Sequence, residues 1–271
     1  MSPLWIEHSA WLTRHEALLA SGARPGGGIV HRQRAAIDNN PDTAVLHLQQ
    51  LLGDAPRGRI GQLDSLQLLL GSTWVRYAVL PWQDDLYKDT DWEGYARVVL
   101  ARHFGVSVET WRIRVAPAGY GKPRIASAVD QGFYQTLVEL ARARKLRLNG
   151  ITPLLTSAIN QHRGKLKGRE FGLVLLESEH ATCAFHRAGA WQGVVTLANT
   201  MREEAEAFAL AAMVRDAAML TGQELPEQLY VVSSEIGMLN GEVADFDVQW
   251  LGGVHGCFAH RSDWQGTEVR R

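Results

Sequence analysis

Apolar positions along the chain change their period repeatedly, and each change marks an element. Phe133, Leu137, Leu140, Ala141 and Arg144 fall on one helical stripe with Glu139 and Arg142 turned away, and Asp130 stands before it as an N-cap. Val45, Leu46, Leu48, Leu51 and Leu52 recur at helical spacing after Asp42 until Gly53 stops them. Residues 92–104 predict another helix, stopped by Gly105. At 110–115 the period drops to two, with Trp111, Ile113 and Val115 opposing Arg112 and Arg114, which marks a half-buried strand. Residues 66–70 and 74–80 predict two strands joined as a hairpin through Gly71-Ser72-Thr73, with Pro81 ending the second. Residues 124–129 and 146–151 add two strands, and Pro153 opens a short helix to about His162.

A basic linker at 163–169 leads to a second block. Residues 171–176, 182–187 and 191–197 predict three consecutive strands with turns at Ser178-Glu179-His180 and Ala188-Gly189. A long helix over 201–220 ends at Gly222, and a strand follows at 229–233. The first 64 residues are less patterned: 9–19 reads as a short helix, and Gly26-Gly27-Gly28 and Asn39-Asn40-Pro41 are breakers. The last 35 residues are glycine-rich and show no clear element. These patterns divide the chain into an N-terminal extension (1–64) packed on the first unit, a first α/β subdomain (65–165) and a second (166–271) with an irregular tail. Each half opens with adjacent antiparallel strands and then alternates helix and strand. That order predicts a duplicated α/β plan with mixed sheets and a cleft between two subdomains.

Composition narrows the function classes. With 46% apolar and 21% charged residues, disordered, collagenous and coiled-coil descriptions fail. A formal net charge of −1 gives no reason to invoke nucleic acid. Two cysteines, Cys183 and Cys257, cannot form a disulfide framework and point to a reducing compartment. No basic-led apolar leader and no uncharged apolar run long enough to span a bilayer is present, so the chain reads as cytoplasmic. Nine tryptophans are a surplus suited to cores and interfaces.

The segment Leu68-Leu69-Leu70-Gly71-Ser72-Thr73-Trp74-Val75-Arg76-Tyr77-Ala78-Val79-Leu80-Pro81-Trp82 resembles the opening hairpin of PilM-type and GspL-type proteins, cytoplasmic actin-like parts of type IV pilus and type II secretion machines. Residues 124–153 resemble their next module, and residues 171–199 their second hairpin. The resemblance implies a duplicated actin-like (ribonuclease-H-like) α/β fold. Active members carry an acid just before Gly-Ser or Gly-Thr in the first hairpin, where this chain has Leu69-Leu70-Gly71. They open the second half with an Asp-x-Gly turn, where this chain has Leu176-Glu177-Ser178-Glu179. Their Gly-Gly pair beside the adenosine is replaced by Ser233-Ser234 after Val231-Val232. A phosphate cradle needs glycines and inward N–H groups, and Glu177 and Glu179 would repel phosphate. Gly71, Ser72, Thr73, Glu177, Ser178, Ser233 and Ser234 are therefore expected as vestigial nucleotide-loop positions, with no cofactor and no catalysis. Gly71-Ser72-Thr73 alone still offers a phosphate-accepting turn, although that composition is ordinary for any turn.

Other constellations carry less. His255, Cys257 and His260, with Glu242 and Asp245 upstream, have zinc-compatible side chains, but the spacing matches no familiar closed site. His180, Cys183 and His186 lie three apart on a strand and cannot converge. Both cysteines read as structural thiols, and Ser233-Ser234 lacks the glycines of a nucleophile elbow. Residues 142–169 hold eight basic residues and no acid, whereas 201–247 hold ten acids against Arg202 and Arg215. By the resemblance, the expected function is a non-catalytic scaffold at the inner face of an inner membrane, binding the cytoplasmic tail of a membrane protein. A homodimer and peripheral membrane contact are further expectations. Arg142, Arg144, Arg163 and Lys167 are the expected charged rim of the partner site. The alternative is an active ATPase or small-molecule kinase of the same fold with divergent phosphate loops.

Overall fold

The first strand of the chain is the middle strand of its first sheet. The computed structural model describes residues 3–24, 27–105, 109–199, 206–234 and 241–258. In it β1 (Trp5–Leu12) pairs antiparallel with β2 (Glu16–Arg24) and parallel with β4 (Ser65–Leu70). With β3 (Ile29–Ala36) and β8 (Arg147–Pro153) at the edges, the order is β3-β2-β1-β4-β8. Residues 1–64 are thus no extension: their strands and α1 (Pro41–Asp54) build the first subdomain. Burial on both faces hid them. Residues 8–12 of β1 and 17–21 of β2 are buried without a break, so neither strand alternates and the run at 9–19 imitates a helix.

The hairpin expected through Gly71-Ser72-Thr73 does not form. β4 stays in the first sheet, whereas β5 (Arg76–Leu80) crosses to a separate sheet with β6 (Trp111–Val115) and β7 (Arg124–Asp130), in the order β5-β7-β6. The helix α2 (Asp89–Phe104) covers that sheet and buries Trp92, Ala96 and Leu100 against Leu80, Ile113 and Ala126. Residues 76–130 are therefore an inserted subdomain with its own core. Asp130 caps α3 (Gln131–Ala143) by accepting from the Phe133 N–H at 2.8 Å, and β8 and α4 (Leu154–His162) follow.

The second half carries the expected meander of β9 (Glu170–Leu176), β10 (His180–Arg187) and β11 (Ala190–Ala198). After α5 (Glu206–Thr221), β12 (Gln228–Ser233) pairs parallel with β9. Two strands that the glycine-rich tail concealed, β13 (Gly241–Val243) and β14 (Phe246–Gly252), complete the order β11-β10-β9-β12-β14-β13. Setting β9–β11 against β1–β3, β12 against β4 and β14 against β8 gives two sheets of the same strand order. The duplication is present, but the partner of the second meander is β1–β3 and not residues 66–80.

One apolar core joins the halves: Leu12, Leu70, Leu154 and Leu155 cluster with Leu173, Leu175, Val194 and Val232. Strand β10 alternates between this core, through Ala184, and the core under α5, through Ala181, Cys183 and Phe185. Burial pushes the Cys183 thiol up to about 12, as suits an inert core residue. His186 stacks on Phe171 at 4.5 Å on the opposite face, so the three residues of the His180-Cys183-His186 set do not converge.

His8 sits in the first sheet at 2% exposure, with Nδ1 2.9 Å from Ser21 Oγ. Burial lowers its pKa from the ordinary 6.5 to about 4, against the opposing pull of the Asp64 carboxylate. A folded value below the unfolded one means that the unfolded chain binds the proton more readily. The stability is complete above about pH 6.5 and is lost as pH falls toward 4. Between pH 7 and pH 5 this group should remove about 2 kcal/mol of unfolding free energy. Urea titrations at both pH values test this, with the His8→Asn variant expected to lose that share of the pH dependence.

Candidate functional site

Each large sheet opens with two apolar strands interrupted by a four-residue polar turn. The first reads Ala10-Trp11-Leu12, then Thr13-Arg14-His15-Glu16, then Ala17-Leu18-Leu19-Ala20. The second reads Val174-Leu175-Leu176, then Glu177-Ser178-Glu179-His180, then Ala181-Thr182-Cys183-Ala184. Both turns close with the same backbone bond: Thr13 N–H to Glu16 O at 2.9 Å, and Glu177 N–H to His180 O at 2.8 Å. The turns meet across the cleft. His15 Nε2 lies 2.5 Å from Glu179 Oε1, and Arg14 Nη1 lies 3.0 Å from Glu179 Oε2. All three side chains are partly exposed, so each pair contributes only about 0.2–1 kcal/mol.

Beneath these pairs the contact is buried. Glu177, 5% exposed, accepts from the Ser72 N–H at 2.9 Å and from the Ser72 hydroxyl. Ser72 Oγ is 2.9 Å from Thr182 Oγ1, which is 3.0 Å from Thr196 Oγ1. Gly71 N–H donates to Leu12 O at 2.9 Å. A Cβ at Gly71 would run into the Glu177 carboxylate and stand 3.0 Å from Leu12 O, so close approach requires this glycine. Asn199 holds the second turn from behind: its Nδ2 donates to Glu177 O and its N–H to Glu179 O, both at 2.7 Å. The buried Tyr77 phenol is held well above its ordinary range, first by burial and then by the Glu177 charge.

Two sheets of one strand order, with their first turns facing each other over a shared core, define the architecture. This is the actin-like ATPase fold. The cytoplasmic domain of EpsL, an inner membrane component of the type II secretion system of Vibrio cholerae, matches with a TM-score of 0.56 at 10% identity, over 92% of this chain and 91% of that one. The PilM–PilN type IV pilus biogenesis complex matches with a TM-score of 0.54 at 13% identity, over 98% and 93%. A Bacteroides thetaiotaomicron protein described as having an actin-like ATPase fold and unknown function matches at 0.54 and 11% identity, over 89% and 84%. No family model matches the sequence, and no curated protein matches it either.

Within this fold the expected loop residues separate into two groups. Gly71, Ser72 and Glu177 come together although Ser72 and Glu177 are 105 positions apart. Thr73 O only receives Arg76 Nη1 at 3.1 Å, and Ser178 is exposed. Ser233 ends β12 in register with Leu176, as Leu70 ends β4 in register with Leu12, so Ser233 and Ser234 stand where the first half has Leu70 and Gly71. Ser234 Oγ donates to Phe258 O and accepts from Val254 N–H at 3.2 Å, which fixes the C-terminal segment. The turn Thr13-Arg14-His15 was missed by sequence reasoning. The signal that identifies it is the internal repeat of a polar quartet between two apolar runs. A cavity of about 260 Å³ adjoins Ser72 between the inserted subdomain and β10–β11, with Arg76, His103, His180 and Thr196 in its lining. Burial lowers the His180 pKa, and Arg14 and Arg76 add to the effect.

The basic segment is spread over different parts of the molecule. Arg142 is exposed in the last turn of α3. Arg144 donates to Gln49 O at 2.7 Å and so ties α3 to α1 beside a groove that it lines with Val45 and Leu140. Arg163 and Lys167 are exposed beyond α4, where the Lys167 backbone bonds the Tyr230 hydroxyl at 3.0 Å and Lys165 Nζ donates to Leu251 O at 3.0 Å. Near the C-terminus, Cys257 N–H donates to His255 Nδ1 at 3.2 Å and Cys257 Sγ lies 3.6 Å from Ser9 Oγ. His260, the Glu242 side chain and the first turn of the predicted 201–220 helix lie outside the described residues.

Proposed function

We propose that the protein is a non-catalytic scaffold of actin-like fold that binds a protein partner in a pilus- or secretion-type assembly at an inner membrane. The observation that carries this reading is Glu177. Its carboxylate takes the Ser72 donors at the base of the cleft, and Glu179 takes Arg14 and His15 above it. Donors and cations that face a phosphate in a nucleotide-binding cleft are here engaged by the protein's own carboxylates, which repel an incoming polyphosphate. The likeness to the EpsL cytoplasmic domain and to the PilM–PilN complex supports a protein partner in such an assembly, and the partner proposed is the cytoplasmic tail of a membrane protein. Among the described residues no helix is long and apolar enough to cross a membrane.

Titration calorimetry with Mg-ATP is the test. No heat above dilution is the expected result. A micromolar dissociation constant would overturn the reading and favour an ATPase or kinase.

A further inference from the structure

A chain of aromatic rings runs from the buried Trp92, in the core of the inserted subdomain, through Trp82 to the surface. Tyr120 is 86% exposed and sits edge-on to Trp82 at 4.9 Å between ring centroids. Trp82 contacts Trp92 at 5.6 Å, and Trp92 contacts Tyr95 at 6.2 Å. Tyr87, 84% exposed, follows Leu86, whose carbonyl accepts from Trp92 Nε1 at 3.0 Å. The rings already hold one cation: the Arg124 guanidinium lies 4.3 Å from the Trp92 centroid and 6.0 Å from that of Trp82. Arg124 Nε is buried and makes no hydrogen bond, so ring faces are its main partners.

The surround is acidic. Asp84, Asp85, Asp89, Asp91 and Glu93 stand against Lys88 alone in the segment that carries Tyr87. Asp84 accepts from Trp82 Nε1 at 2.8 Å, Asp91 from the Lys88 N–H at 3.1 Å, and Glu93 pairs with Arg114. Asp85 and Asp89 have no hydrogen-bond or ion-pair partner among the described residues. Exposed ring faces bordered by excess negative charge are complementary to guanidinium and ammonium groups carried on an apolar chain.

We propose that this face docks an arginine- or lysine-rich peptide segment of the protein partner. The proposal rests on the scaffold reading for its biological setting, because short cytoplasmic segments next to a membrane helix carry an excess of Lys and Arg. It places the partner surface on the inserted subdomain and not on the basic segment at 142–169.

The experiment uses the full chain and a short fluorescent peptide of interspersed arginines and leucines, with the same peptide carrying glutamate at the arginine positions as control. Anisotropy should show binding of the basic peptide only, weakening as salt is raised. The Tyr87→Ala/Tyr120→Ala variant, altered at two bare positions that the fold does not need, should lose about tenfold in affinity. Asp85→Asn/Asp89→Asn should lose several-fold, mainly in association rate. Equal affinity of wild type and the tyrosine variant, or equal binding of the glutamate peptide, overturns the proposal. The outcome is separable from the calorimetric test. Peptide loss without nucleotide heat leaves a scaffold that uses another surface, and peptide binding together with nucleotide heat leaves the docking face on an active ATPase.

Discussion

Asp64→Ala is expected to destabilise the protein by about 3–5 kcal/mol, the loss typical when one member of a buried charged network is removed. The Asp64 side chain is fully buried, and its carboxylate accepts from Ile6 N–H at 2.7 Å and from Gly58 N–H at 3.2 Å. Arg57 Nη1 adds a contact at 3.5 Å, and the Asp64 carbonyl accepts from Arg147 N–H at 2.9 Å. One residue thus aligns the starts of β1, β4 and β8, the three central and edge strands on that side of the sheet. Alanine leaves two backbone donors and a guanidinium without their acceptor. Urea unfolding with an unchanged slope and a lower midpoint is the expected observation, and a loss below about 1 kcal/mol would show that the network is dispensable. Asp64→Asn keeps the shape and one acceptor, and should cost roughly half as much. Because the Asp64 charge raises the His8 pKa, the same Asn variant should push His8 to a still lower value by imidazole NMR.

Glu177→Ala is the second large effect, at about 3 kcal/mol, the combined loss of charge-assisted hydrogen bonds and of packing at a buried site. The Ser72 N–H and hydroxyl lose their acceptor together, and the hydroxyl relay through Thr182 to Thr196 loses its terminus. Since the bond links the turn after β4 in one half to the turn after β9 in the other, amide exchange should accelerate at Ser72 and Thr182 on both sides of the cleft. Arg14→Ala, which removes a partly exposed pair with Glu179, should cost less than about 1 kcal/mol. Equal costs for Glu177→Ala and Arg14→Ala would mean that the buried bond does not hold the halves together.

The contrast between these two carboxylates shows where sequence reasoning stops. Glu177 and Glu179 were both legible as acids in a turn where glycine and a single aspartate would suit phosphate. That one is buried against Ser72 and the other half-exposed against Arg14 and His15 depends on β1 lying at the centre of the first sheet. Likewise, a basic run that reads as one patch is divided between α1 and the second half, because Arg144 and Lys165 bond to elements far away in the chain.

Elements with one wet face were legible from the residues alone. The α3 stripe with its Asp130 cap and the alternating β6 each show their solvent face as a period that can be counted, whereas β9 and β10, buried on both faces, were legible through the turns that bound them. The departures at Leu70, Ser178 and Ser233-Ser234 from the glycine and acid pattern of the PilM- and GspL-type turns were visible for the same local reason. The rest depended on pairing between distant strands. β1 and β2 are covered on both faces and carry no period, and β4 and β5 are neighbours in sequence that enter different sheets. The Glu177–Ser72 bond joins residues 105 positions apart. Local patterning records which side of an element is wet. It does not record which distant strand removes the water from the other side, and that pairing placed the two turns against each other.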